Sequence, residues 1–159
     1  MLRGAIDGIG EFLVRHALNA TANYLESNAL HVVDSWIERL GRSMPGYAPM
    51  IREMRDWGTR NVALMVELLR VQRPECREEV TSKLLRAGRE MASLHLERGI
   101  PLYEILRAAS LFRLSMLNAV ERMLRSRLWV AFPYDILRAE DLINEALDQQ
   151  MLITSESYL

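Results

Sequence analysis

The sequence is poor in the features that most directly betray a function. It has one cysteine, Cys76, in 159 residues, so no disulfide can form within the chain, and a disulfide-stapled secreted scaffold is excluded. A lone thiol fits a reducing compartment, and the expected location is the cytoplasm. Eight glycines and five prolines are too few for a collagen-like or low-complexity chain. No run of 18 apolar residues free of charge occurs, so no membrane span and no membrane partner are expected. The opening MLRGAIDGIGEFLVRHALNA is interrupted by Asp7, Glu11 and Arg15 and lacks the apolar stretch of an export signal. Lysine is almost missing: Lys83 is the only one among the 20 basic residues, and the arginines are spread along every segment. Against 21 acidic residues the net charge is −1, which gives no field to hold a polyanion, so nucleic acid is not an expected partner. There is no glycine-rich phosphate loop, no G-x-S-x-G elbow and no His, Cys or carboxylate pair at i, i+4 with a third ligand. No metal, no cofactor and no catalytic residue is expected, and the chain does not read as an enzyme.

What the sequence does contain is helix. Half its residues are hydrophobic and 26% are charged, and a chain of this length can bury about two-thirds of its unfolded surface in one core. Apolar residues recur at a 3.6-residue period almost throughout, which predicts an all-α fold. A first helix is expected over 10–25, with Phe12, Leu13, Ala17, Ala20 and Tyr24 on one face. Asn28 reads as the N-cap of a second helix carrying Val33, Trp36, Ile37 and Leu40 and ended by Gly41. Two prolines and two glycines make 41–49 the clearest loop. A third helix presents Met50, Met54, Trp57, Asn61, Met65 and Leu68 and stops near Arg73-Pro74. The fourth runs from Pro74 to Gly99, the fifth from Pro101 to about Arg125, and the sixth from Phe132-Pro133 to the last residue. The expected organisation is a globular unit over 1–134 and a last helix over 135–159 that packs on it and continues as a linker to a following module.

Two helices carry more apolar surface than one core contact uses. On the fifth, Leu102, Ile105, Ala109, Phe112, Met116, Val120 and Met123 fall within an arc of about 80°, while Leu111 and Leu114 lie well outside it. Single exposed leucines are ordinary, and a subunit contact is the sharper alternative. On the sixth, Ile136, Ala139, Leu142, Ile143, Ala146, Leu147, Met151, Ile153 and Tyr158 spread over about 180°, where one core contact takes about 100°. A homodimer is therefore expected, with Leu111, Leu114, Leu142 and Ala146 at its interface.

His95 is the residue that most invites chemistry. It falls on the apolar side of the fourth helix with Val80, Leu84, Met91 and Leu94, so it should face inward. A buried histidine in an all-α domain of this length could ligate haem, which gives the alternative of a haem-binding gas sensor. The commoner outcome is a neutral imidazole bonded to a nearby carbonyl or side chain. A phosphoaccepting histidine, as in a phosphotransfer and dimerisation domain, is a third reading, and the apolar face speaks against it. Cys76 reads as an inert thiol near a helix N-terminus. Nine methionines are rich for this length and fit either an adaptable ligand cavity or ordinary gap-filling in a helical core.

The run that follows His95, Leu-Glu-Arg98-Gly99-Ile100-Pro101-Leu-Tyr-Glu104-Ile-Leu106-Arg107, resembles the amino-terminal domains of RsbR-type co-antagonists, the stressosome proteins that carry a sensory domain ahead of a STAS domain. In that family a long helix with a basic end stops at Gly, a hydrophobic-Pro or hydrophobic-Ser turn follows, and the next helix opens with an acidic residue and a Leu-Arg step. The stretch from Ile143 to Tyr158-Leu159 is similar to the exit helix that joins such a domain to STAS. The resemblance implies a globin-like helical domain without haem, dimeric through its last two long helices. It further implies a non-enzymatic sensory role in which a signal of unknown nature biases the STAS domain, with STAS-domain proteins of a stressosome-like complex as partners.

Overall fold

A computed structural model describes residues 2–126 and 133–159, with side chains for 8–126 and 137–159. Among the described residues the chain forms α-helices and one short 3-10 turn and no strand, so the fold is all-α. The helices are α1 (Leu2–Ser27), α2 (Ala29–Ser43), α3 (Ile51–Arg70), α4 (Pro74–Glu97), α5 (Leu102–Ser126) and α6 (Pro133–Glu156).

Several boundaries differ from the sequence expectation, each for a local reason. Helix α1 starts at Leu2 rather than about Gly10, since Gly4, Gly8 and Gly10 lower helix propensity without breaking the hydrogen-bond ladder. Its buried side is Ala17, Thr21, Ala22 and Leu25, whereas Phe12, expected on the apolar face, is 66% exposed. Asn28 does not cap α2 through its side chain. Its Nδ2 donates instead to the Tyr24 carbonyl at 2.8 Å, and so serves the end of α1. Helix α2 continues two residues past Gly41. The stretch expected as loop contains the 3-10 turn Pro45–Met50, which starts on a proline and buries Tyr47 and Met50. Helix α3 ends at Arg70, where Val71 turns extended at φ −72° and ψ 128°, a few residues ahead of the expected stop near Arg73-Pro74.

The turn between α4 and α5 is built as its sequence predicts. Gly99 takes φ +67°, in the left-handed region that favours glycine. The Ile100 N–H donates to the His95 carbonyl at 2.9 Å and the Gly99 N–H to the Leu96 carbonyl at 3.0 Å, the paired bonds of a Schellman motif.

The core centres on three aromatic rings from three helices. Phe112 on α5 stands edge-on to Trp36 on α2 and Trp57 on α3, with centroids 5.0 and 5.3 Å away. Each indole N–H is satisfied across the interior, Trp36 on the Ala108 carbonyl and Trp57 on the Ala87 carbonyl, both at 2.9 Å. Helix α6 is part of this core. It packs on α4, α1 and α5 together, and Ala139, Ile143, Ala146 and Leu147 are buried. A helix enclosed by three neighbours covers far more of its circumference than the about 100° of a single contact. The broad apolar arc of α6 is thereby spent largely on its own chain. Ile136, counted in that arc, lies outside the described side chains.

Candidate functional site

The candidate site is the inner face of α6 and the ends of the elements it touches. Two polar clusters sit there, one at each end of a close helix crossing. The first joins three helices. Asn61, in the apolar stripe of α3, is fully buried and donates from Nδ2 to the Trp57 carbonyl at 3.1 Å. Gln150 on α6 donates from Nε2 to Asn61 Oδ1 and to the Leu84 carbonyl of α4, each at 2.7 Å. One turn on, Thr154 donates to the Gly88 carbonyl at 3.2 Å. The helices approach closely because α4 offers a glycine here: a Cβ on Gly88 would stand 2.8 Å from Ile153 Cγ2 and 3.2 Å from the Gln150 carbonyl oxygen.

The second cluster closes the far end. His95 is fully buried near the end of α4. Its Nδ1 lies 2.7 Å from the Met91 carbonyl, which can only accept, so Nδ1 carries the proton. Nε2 then accepts from the Tyr47 hydroxyl at 2.9 Å. Burial holds His95 below its usual pKa of 6.5, against the smaller opposing effects of the Met91 carbonyl and Glu104. Burial pushes the Tyr47 phenol well above its ordinary value, with the Glu104 charge adding to it. Tyr158, just past the end of α6, donates to the Ile100 carbonyl at 2.8 Å and so pins α6 to the Gly99 turn. The 3-10 turn, the end of α4, the Gly99 turn ahead of α5 and the end of α6 thus share one hydrogen-bonded junction.

This geometry bears on the readings of His95. Both ring nitrogens are engaged and the side chain is closed to solvent, so neither haem iron nor an aspartyl phosphate has a nitrogen to reach. The residues present do not fit haem. The commoner outcome for a buried histidine is the one observed.

The four interface residues fall in different places. Leu114 is 42% exposed, whereas Ala146 is 8% exposed and packed within the core. Leu111 and Leu142 are half-buried against that core. Cys76 is exposed and free. Among the described residues no group of three His, Cys, Asp or Glu could hold a metal ion, and no helix is long and apolar enough to cross a membrane.

Residues 31–159 match the family model described as the RsbT co-antagonist protein rsbRD N-terminal domain. The chain belongs to this family. An RsbRD N-terminal domain is a regulatory domain of stressosome type. No curated protein and no solved structure matches the chain. The matched span holds both polar clusters, and it begins beyond α1.

Sequence reasoning missed Tyr47, which lies in the stretch read as loop, and it did not single out Gln150 or Thr154. The signal for the latter pair was present: Ile143, Leu147, Gln150 and Thr154 continue one stripe at steps of four, three and four, so the two polar residues stand on the buried side.

Proposed function

We propose that this RsbRD N-terminal domain is a non-enzymatic, dimeric sensory domain of a cytoplasmic stressosome-type protein, and that it passes its signal through α6 to a STAS domain. The observation that carries the reading is the placement of α6. It is held by side-chain hydrogen bonds to α3 and α4 at Gln150 and Thr154 and to the Gly99 turn at Tyr158, so a repacking of the core displaces its end as a rigid unit. A second copy would dock on the outer face of α5, where Leu114 is exposed and Leu111 flanks it, with Leu142 at the edge. Ala146 has no part in that face. The free Cys76 accords with a reducing compartment.

The test uses the full-length protein. Tyr158→Phe and Thr154→Val should each change the phosphorylation of the STAS domain, because they loosen α6 without touching the surface. Output equal to that of the unaltered protein in both would show that α6 is a passive tether and overturn the mechanism. Light scattering tests the dimer separately: Leu114→Glu should give folded monomers, and an unaltered chain that is already monomeric at high concentration would refute the dimer.

A further inference from the structure

An unbroken chain of hydrogen bonds runs from the 3-10 turn to the end of α6. The Tyr47 hydroxyl donates to His95 Nε2 at 2.9 Å, the Ile100 N–H donates to the His95 carbonyl at 2.9 Å, and the Tyr158 hydroxyl donates to the Ile100 carbonyl at 2.8 Å. Of these three links, the first alone depends on a group that titrates between neutral and mildly acid pH. Nε2 accepts because the ring is neutral, whereas an imidazolium carries a proton on both nitrogens and accepts nothing. Tyr47 is fully buried, so a hydroxyl displaced from Nε2 has no water to turn to while the junction stays closed.

The groups around the ring leave a second proton poorly compensated. On α4 the Met91 carbonyl is already taken by the Nδ1 proton. The 3-10 turn supplies the Tyr47 phenol and the end of α6 the Tyr158 phenol, and burial pushes both away from ionising. Glu104, in the first turn of α5, is half-buried and is the carboxylate that acts on the imidazole, favouring its charged form. It accepts from the Tyr103 hydroxyl at 3.1 Å and makes no hydrogen bond to His95. Glu53 of α3 and Arg98 beyond α4 pair with each other on the surface at 3.2 Å. A charged His95 therefore has one counter-charge, not bonded to it, inside a closed apolar junction, and opening the junction to water relieves that cost.

We propose that His95 is an acid-operated latch on α6: when its imidazole takes a second proton from solvent on Nε2, that nitrogen turns from acceptor to donor, Tyr47 is displaced, and the 3-10 turn, the Gly99 turn and the end of α6 loosen together. Burial sets the range in which the latch works. It holds His95 below its usual pKa of 6.5, so the junction is closed at neutral pH, and falling pH favours the open form, in which the ring is solvated and binds the proton more readily. The opening is local, because the indoles of Trp36 and Trp57 bond to the Ala108 and Ala87 carbonyls and share no link with the chain from Tyr47 to Tyr158. The latch stands without the sensory reading, and only its use as the signal input rests on that reading.

The test is an NMR titration of the ¹⁵N-labelled chain from about pH 7.5 to about pH 5, the range in which histidine changes charge. The His95 ring nitrogens and the amides of Tyr47, Ile100 and Tyr158 should move together with one midpoint below pH 6.5, while the indole signals of Trp36 and Trp57 stay in place. Glu104→Gln removes the charge that favours the imidazolium and should lower that midpoint further. His95→Gln offers a donor to Met91 and an acceptor to Tyr47 but has no proton to gain, and should abolish the shared transition. Tyr158→Phe cuts the last link, so His95 should titrate while the amide at position 158 stays still, which keeps the test decisive if His95→Gln does not fold. A His95 ring that stays neutral until the whole chain unfolds, a Tyr158 amide unmoved as His95 titrates in the unaltered chain, or the same transition in His95→Gln would overturn the proposal. A latch that opens as described while STAS phosphorylation in the full-length protein ignores the same acidification would retain the latch and remove it as the input, a result separate from a failure to open.

Discussion

Replacing Gly88 with alanine sets two effects of opposite sign against each other at the α4–α6 crossing. In the interior of a helix, glycine to alanine gains about 1 kcal/mol from backbone entropy alone. Against this, the new methyl would stand 2.8 Å from Ile153 Cγ2, 3.2 Å from the Gln150 carbonyl oxygen and 3.5 Å from Gln150 Cα. Ile153 is β-branched and stiff at χ1, and the other two atoms are backbone, so relief requires α6 itself to lift by a few tenths of an ångström. That movement lengthens the Thr154 bond to the Gly88 carbonyl, already 3.2 Å, and pulls Gln150 from Asn61. Overpacking of this sort costs about 1–3 kcal/mol, so the net expectation is a loss of about 1 kcal/mol and a melting temperature lower by about 2–4 °C. Gly41→Ala is the matched control, because a methyl there meets nothing within 4 Å on the outside of α2. It should gain up to about 1 kcal/mol. Urea denaturation followed by far-ultraviolet circular dichroism reads both variants on one scale. A Gly88→Ala protein as stabilised as Gly41→Ala would refute the close crossing and the account of how α6 is held.

Three further outcomes are expected. Tyr158→Phe removes the donor to the Ile100 carbonyl and should cost about 0.5–1 kcal/mol, with faster amide hydrogen exchange in the last turn of α6 and little change in α2 or α3. Because burial lowers the His95 pKa from 6.5, the unfolded chain binds this proton more readily than the folded one. Its stabilising contribution is therefore complete above about pH 6.5 and declines as the pH falls through the lowered value; urea midpoints measured down this range should drop less steeply in His95→Gln. Burial, with Asp141 and Glu121 adding to it, raises the Glu140 pKa from 4.5, so here the folded chain binds the proton more readily and stability is lost as the pH rises through the raised value. Glu140→Gln should accordingly raise the urea midpoint at neutral pH and leave it unchanged well below pH 4.5, and an equal effect at both would refute the assignment.

The parts of this fold that were legible in the sequence are those fixed by neighbours a few residues away. The stripe of α3, the inward face of His95 and the left-handed Gly99 cap each follow from spacing or from a three-residue signal, and each is found. The pairings that give these residues meaning are distant: Tyr47 meets His95 across 48 positions and Asn61 meets Gln150 across 89, and no local pattern states them. The case of α6 shows why an amount of apolar surface is not an address. A helix meant for a partner and a helix enclosed by its own chain display the same broad arc, and Ala146, expected at a subunit contact, is 8% exposed and packed in the core of its own chain. What distinguishes the two is polar. A helix face held against a like copy can be apolar throughout, but Gln150 and Thr154 lie inside the stripe and are 4% and 6% exposed, so each requires a specific acceptor nearby. Those acceptors are Asn61, itself a polar residue inside an apolar stripe, and backbone carbonyls of α4. The register of α6 is therefore set by hydrogen bonds to its own chain, while Leu137 and Leu152 on the same helix stay 49% and 62% exposed.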